Sequence, residues 1–446
     1  MSERFTGRFL TKFIVRDAVA SLALLSMASV LVQTANAQNV AITNVRIIVG
    51  SGAVIPSGTI VVRGGKIASV VASGSAGSAD TKGLKVIDGK GMSAMPGYID
   101  AHKHVDRFNK EQVQSLLEAG YTTILSAGGT AENNLKLVEN IESGAFNGPR
   151  IIPAASLPVM ARSFETALAR GALTGFTPET GRAAIRDIAA KGIKHTGEIV
   201  MAPGGLSPED VATMKAIVEE GKERGVQINV HAVSTPAMMG AVNAGVNHQV
   251  HMPNKDFMGI DDAKQINATR TIVLGLLAFG APVVDRFSGP PAQVQFPKDD
   301  SPRFRDGKPW PESIAGANRD AAGRATGTEA GYTIVNARTI WDASNGRALG
   351  WCTDQNYDDK LVLEHELKSY SVMFSMADIF RIIGPNTAEY LHMSDQIGTL
   401  EQGKLADIIL LDGNPLDGIQ YMLQTKVVLK GGKIVVDKRN VTKKAK

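Results

Sequence analysis

The sequence predicts an α/β fold in which a (β/α)8, TIM-like barrel carries a small β-sandwich domain built from both chain ends. Three observations predict it. Short β-branched runs alternate with amphipathic stretches along the middle of the chain, and about 300 residues of that rhythm fit an eight-unit parallel barrel. Two hairpins of one pattern stand near opposite ends of the chain. Five of the eight histidines fall in three short segments that read as buried strands.

The 446 residues carry 48 Lys+Arg against 44 Asp+Glu, a net charge of +4, with 43% hydrophobic residues and one Cys. This composition excludes a disordered chain, a collagen and a disulfide scaffold. The basic residues are scattered and form no stripe, so no nucleic-acid partner is expected. Residues 1–37 read as a cleaved signal peptide. Arg4, Arg8, Lys12 and Arg16 precede the uncharged apolar stretch Ala18–Val32, and Ala35-Asn36-Ala37 supplies a small-x-small cleavage site before Gln38. The apolar run is short against the roughly 20 residues of a membrane span; an uncleaved anchor is the alternative reading. Losing four basic and two acidic residues with this segment lowers the net charge from +4 to +2. The expected destination is periplasmic or secreted, with no membrane partner after signal removal.

Residues 38–93 and 397–446 are assigned to the composite sheet domain. Thr59–Val71 alternates and turns at Gly64-Gly65, and Lys426–Asp437 does the same at Gly431-Gly432. Residues 94–396 are assigned to the barrel. Tyr121–Leu125, Arg150–Ile152, Gly197–Met201, Val226–His231 and Val246–His251 read as its strands. Between them lie helical stretches such as Ser207–Arg224, with Pro208 in the first turn. Residues 285–327 break the rhythm with many prolines; a segment that long without periodicity predicts a lid inserted in the barrel.

The strongest local signal is Met95-Pro-Gly-Tyr-Ile-Asp-Ala-His-Lys-His-Val105. His102 and His104 are two apart, so on a strand both imidazoles share a face and can bind one metal, although a polar surface strand would show the same pair. His231 and His251 each end a strand that follows a helix and a glycine, at the barrel face where catalytic residues collect. Together with His102 and His104 they predict a shared metal site. Asp354 ends the apolar run Leu349–Asp354, and Glu198 sits one β/α unit before His231. A carboxylate at a buried strand end is costly unless paired, protonated or metal-bound. His248, three before His251, and His195, three before Glu198, are predicted to point off the metal face. His365 and His392 read as helical residues outside the site, and Cys352 as a packed thiol.

Those motifs resemble the metal-dependent amidohydrolase superfamily, in its exported, imidazolonepropionase-like and prolidase-like branch. The resemblance rests on 95–104, His231, His251, Cys352-Thr-Asp354 and the return segment Ile397–Pro415. It implies that His102, His104 and Asp354 hold a more buried ion and that His231 and His251 hold a second, with a hydroxide between them. Many members bridge the metals with a carbamylated lysine, and this sequence departs there. Glu198 is the expected bridge and Lys194 the fallback. Zn suits such ligands best, with Mn, Co or Fe as alternatives, and two ions are expected over one. A binuclear centre of this kind implies hydrolytic attack on a carbonyl C–N bond of a small-molecule amide, peptide-like or cyclic substrate, with Asp354 as general base and then acid. A lactone or carbamate hydrolase on the same site, and a metal-retaining binding protein without turnover, are the competing readings. Deaminating relatives carry a Glu where this chain has Ser234, so deamination is not expected. Arg286, Arg303 and Arg305 of the insertion could grip a substrate carboxylate. Relatives self-associate, which implies a homo-oligomer of unspecified symmetry.

Overall fold

The computed structural model describes residues 38–75, 79–105, 107–157, 173, 175–278, 282–283, 329–355 and 358–440. The predicted signal peptide and the predicted lid, with its three arginines, lie outside the described residues. The chain opens with strands β1 (Val40–Ile48), β2 (Val54–Arg63), β3 (Lys66–Ala72), β4 (Lys85–Asp88) and β5 (Ser93–Pro96). It then runs through the parallel strands β6 (Tyr98–Lys103), β7 (Tyr121–Ser126), β8 (Arg150–Ala155), β9 (His195–Thr196), β10 (Ile199–Val200), β11 (Asn229–His231), β12 (His248–Val250), β13 (Ile272–Gly275) and β14 (Leu349–Trp351). It closes with β15 (Ile408–Leu411), β16 (Thr425–Lys430) and β17 (Lys433–Asp437), which return to the first sheet.

That sheet has eight strands in the order β17-β16-β15-β5-β1-β2-β3, with β4 on β1. At its centre, strands from the two ends of the chain are joined by antiparallel pairing of Ile408–Leu411 with Ser93–Pro96. Both predicted Gly-Gly turns form, with φ of 56° and 81° at Gly64 and Gly65 and of 52° and 76° at Gly431 and Gly432. Positive φ at both central residues matches the twist of a two-residue hairpin and favours glycine. The two turns also meet. A Cβ on Gly432 would lie 2.9 Å from Gly65 Cα and 3.0 Å from Val62 Cγ1. The apolar interior between them holds Val40, Ile42, Ile47, Ile60 and Val62 from one end of the chain and Ile408, Leu410, Val427 and Leu429 from the other. Gly432→Ala therefore combines a strained φ with a backbone clash. It is expected to cost about 1–3 kcal/mol, read as a lower denaturant midpoint, while the exposed Gly64→Ala loses only the φ preference.

The parallel strands run in two ladders, β6-β7-β8-β9 and β10-β11-β12-β13-β14. Backbone bonds join them at both seams. Thr196 N–H donates to Gln227 O at 2.9 Å, while Asp354 N–H donates to His102 O at 2.9 Å and His104 N–H to Asp354 O at 3.2 Å. This is the TIM-like barrel predicted from the alternating pattern. Inside it pack Ile99, Ala101, Leu125, Ala154, Val250, Leu274 and Cys352, the last fully buried as a packed thiol. Alternate positions such as Val230 and Val273 belong to a separate apolar cluster that includes helix residues such as Met214 and Ile217. The helix Pro208–Arg224 starts on Ser207, whose side chain accepts from Asp210 N–H, and ends at Gly225 in the left-handed region. Gly97 is dictated by a close approach: a Cβ there would lie 2.2 Å from Thr122 Cγ2, where β6 enters the barrel beside β7. Among the described residues no helix is long and apolar enough to cross a membrane.

Candidate metal centre

Six side chains converge at the C-terminal ends of the barrel strands. His102 is on β6 and His104 just beyond it, Glu198 lies between β9 and β10, and His231 ends β11. His251 follows β12 and Asp354 follows β14. These are the six predicted site residues, and the structure brings all of them together. Glu198 Oε2 lies 2.9 Å from His231 Nδ1, 3.2 Å from His251 Nε2 and 3.6 Å from His102 Nε2. Asp354 Oδ1 lies 3.1 Å from His104 Nε2 and 3.4 Å from His102 Nε2. His102 thus stands between the two carboxylates. Lys194 lies elsewhere: it is exposed, with Nζ beside Gly225 at the end of the helix Pro208–Arg224.

The backbone departs from regular strand at three of the six positions, and each departure aims a side chain. His231 is in register with Val250, an inward-facing residue, so simple alternation would turn His251 toward the helices. His251 instead adopts φ 70° and Asp354 φ 57°, left-handed conformations that cost a non-glycine residue about 1–3 kcal/mol. At Glu198 the strand is interrupted between Thr196 and Ile199, which resets the alternation. Such strain persists only where surrounding structure holds it.

Electrostatics bind the cluster together. Burial alone would raise the Glu198 carboxyl, but the charge of His231 and hydrogen bonds with His231 and His251 hold it well below the usual carboxylate range. Burial acts on Asp354 in the same sense and is likewise outweighed, here by the His102 and His104 imidazoles beside it. His102 is pushed down by its burial. Asp354 Oδ2 accepts from Gln355 Nε2 at 2.9 Å, which leaves Oδ1 directed at the histidines.

The donor set fits divalent metal. Three overlapping triads have ligand atoms close enough to share an ion: His102, His251 and Asp354; His102, His104 and Glu198; and Glu198, His231 and His251. His102 Nε2 is buried and makes no hydrogen bond, although carboxylate oxygens lie at 3.4 and 3.6 Å. An imidazole nitrogen left without a hydrogen bond among anionic oxygens is what a cation between them would satisfy.

One residue of the site's support was not predicted. Lys103, between the two histidines, is fully buried. Its Nζ donates to Gln355 O at 2.6 Å and to Thr353 Oγ1 at 3.3 Å, and lies 3.2 Å from Asp359 Oδ1. Nearby, burial pushes the Asp100 carboxyl up to about 6 against the opposing Lys103 charge and bonds from Thr353 and His102 N–H. Lys103 thus ties β6 to the segment that carries Asp354. The only sequence signal was a lysine inside an apolar strand. Lys103→Met would leave Asp359 buried without its cation, an expected loss of about 3–5 kcal/mol by denaturant unfolding, and Lys103→Met with Asp359→Leu should recover part of it.

His195 and His248 differ from expectation. Both do face the barrel interior, since His195 is in register with Ala154 and His248 with Asn229. They begin their strands and therefore lie at the opposite, N-terminal end of the barrel. The strand break at Glu198 and the left-handed His251 are why counting by twos failed. His392 is not helical either: it follows the helix Thr387–Tyr390 with φ 54°.

The chain matches known proteins in sequence and in fold. The amidohydrolase family model matches residues 93–273 and 334–435. The chain is 21% identical over 434 residues to the imidazolonepropionase of Thermoanaerobacter pseudethanolicus, covering 84% of this chain and 90% of that one. A 25% match to the dihydroorotase of Elusimicrobium minutum covers 41% of this chain and spans only 39% of that protein. The solved structure of a Xaa-Pro dipeptidase with bound methionine superimposes with a TM-score of 0.67 at 20% identity, covering 89% of this chain and 99% of that one, a likeness of fold. The family match takes in more than half of the chain, so the chain belongs to the amidohydrolase family and is a metal-dependent hydrolase of C–N bonds.

Proposed function

We propose that this protein hydrolyses the carbonyl C–N bond of a small amide, peptide-like or cyclic amide at a binuclear centre of Zn or a similar divalent metal. The carrying observation is the placement of Glu198 Oε2 within 3.6 Å of His102, His231 and His251, while Asp354 Oδ1 faces His102 and His104. His102, His104 and Asp354 would hold one ion and His231 and His251 the other, with Glu198 between them. Bound there, divalent ions supply Lewis-acid polarisation and lower the pKa of water toward about 7. Asp354, anionic and oriented by Gln355, takes a proton on Oδ1 and returns it to the leaving nitrogen. Glu198 keeps the imidazoles of three strands at one point. Ser234, where deaminating relatives have Glu, is occupied structurally: it donates to Pro203 O at 2.6 Å and caps the helix Thr235–Asn243.

The names of the relatives narrow the substrate class. An imidazolonepropionase and a Xaa-Pro dipeptidase both point to an amide nitrogen in or beside a ring, so cyclic amides and prolyl dipeptides head the panel to be tried. We further propose export with removal of residues 1–37, supported by their basic, apolar and small-x-small order. The test is metal analysis of the purified mature protein with a screen of dipeptides, imides, cyclic amides, carbamates and lactones. Turnover of an amide that chelation abolishes and Zn, Mn or Co restores supports the proposal. Turnover confined to lactones or carbamates reassigns the substrate. Tight ligand binding with no turnover across the panel overturns the enzymatic reading.

A further inference from the structure

Three histidines that the metal centre does not use meet at the N-terminal end of the barrel. His195 begins β9, His248 begins β12, and His392 arrives from the segment returning to the sheet domain. His248 Nε2 lies 3.1 Å from His392 Nε2 and 3.0 Å from the carbonyl oxygen of Tyr390. The other nitrogen of His248 faces Asn247 Oδ1 at 2.7 Å. The His195 ring stands 6.4 Å from that of His248, centroid to centroid, and its buried Nδ1 has no hydrogen-bond partner. His195 and His248 are 3% exposed, whereas His392 is exposed. Of the three histidines, His392 is the one open to solvent.

We propose that His248, His392 and the Tyr390 carbonyl form a second, peripheral site for a borderline transition-metal cation of the Zn2+, Ni2+ or Cu2+ class. Two nitrogens and an oxygen separated by 3.0 and 3.1 Å are close to the spacing of neighbouring ligands around one ion at about 2.0–2.2 Å from each. Imidazole is the ligand that such cations prefer. Both buried imidazoles are held neutral, His195 down to about 3 by burial and by the charge of His392, His248 well below its ordinary value chiefly by burial, and neutral imidazole is the form in which His248 can ligate. His392 is exposed, so its side chain can turn to admit the ion. An ion there would tie the chain's return segment to the barrel floor, on the face opposite the metal centre.

The experiment strips the mature protein of metal, equilibrates it with Zn2+ and counts ions per chain by mass spectrometry in wild type, His392→Ala and His392→Gln. Wild type is expected to hold about one ion per chain more than either variant, because the metal centre is the same in all three. Equal counts in all three overturn the site. A second readout needs no variant: acylation of imidazoles by diethyl pyrocarbonate, mapped by peptide mass spectrometry. Zn2+ is expected to protect His392 of the wild-type protein about tenfold or more, as metal occupies the nitrogen that reacts. Modification of His392 at one rate with and without Zn2+ overturns the proposal, and leaves the pair sharing a proton instead.

Discussion

Glu198→Ala is expected to lower kcat/KM by about 10^3-fold or more and to cost the protein at least part of its metal, while Glu198→Gln, which keeps the shape and loses the charge, falls between. The expectation follows from geometry. Without the carboxylate, His231, His251 and His102 would surround an emptied position, and among the described residues the anion left in the cluster would be Asp354, on the far side of His102. The local pairing energy works in the same direction. Glu198 is held ionised against its burial by the imidazoles around it, so the same groups are set to hold a cation only while that negative charge is present. Metal per chain and turnover on one amide substrate, measured together, check this. If Glu198→Ala kept both at wild-type level while Lys194→Ala lost both, Glu198 would be a plain structural ion pair. The position of Lys194, exposed beside Gly225, leads us to expect no effect from Lys194→Ala.

How much of this site the sequence disclosed depends on where the backbone is regular. His102 and His104 sit at the end of β6, His231 ends β11, and for these a strand reading with alternation placed the imidazoles correctly. The two Gly-Gly turns were equally legible, because positive φ at two successive residues has few chemical solutions. That the two turns touch was not legible, since a contact between residues some 370 positions apart leaves no local trace. Glu198, His251 and Asp354 were found through chemistry, as charges or imidazoles too costly to bury unused. Their geometry was hidden, because each sits at a break or a left-handed residue that no periodicity encodes. The same breaks misplaced His195 and His248. Parity set them off the metal face, whereas they line the barrel's interior at its other end. Lys103 was missed because its partners, Asp359, Thr353 and the Gln355 carbonyl, lie some 250 positions away and leave no local trace.

Asp354→Asn is the sharper test of mechanism, because it should separate chemistry from metal binding. Asparagine is nearly isosteric, keeps an oxygen that can face His102 and His104, and keeps a group for Gln355 to approach. Metal content should therefore stay close to wild type. What asparagine cannot do is accept a proton and hand it on, and general acid–base catalysis by one positioned group is worth about 10^2–10^4-fold in rate. The loss should appear in kcat, with KM changed little, since an interaction used only as the proton moves stabilises the transition state alone. The strained φ of 57° adds a control. Asn tolerates the left-handed region better than Asp354→Ala would, so Asp354→Asn should melt near wild type while Asp354→Ala melts lower. Equal loss of metal and rate in Asp354→Asn would assign Asp354 to metal retention and leave the proton transfer to another group. Retained metal with kcat down by about 10^3-fold would identify the carboxylate as the proton carrier, and in a binding protein that performs no turnover the substitution would leave nothing to lose.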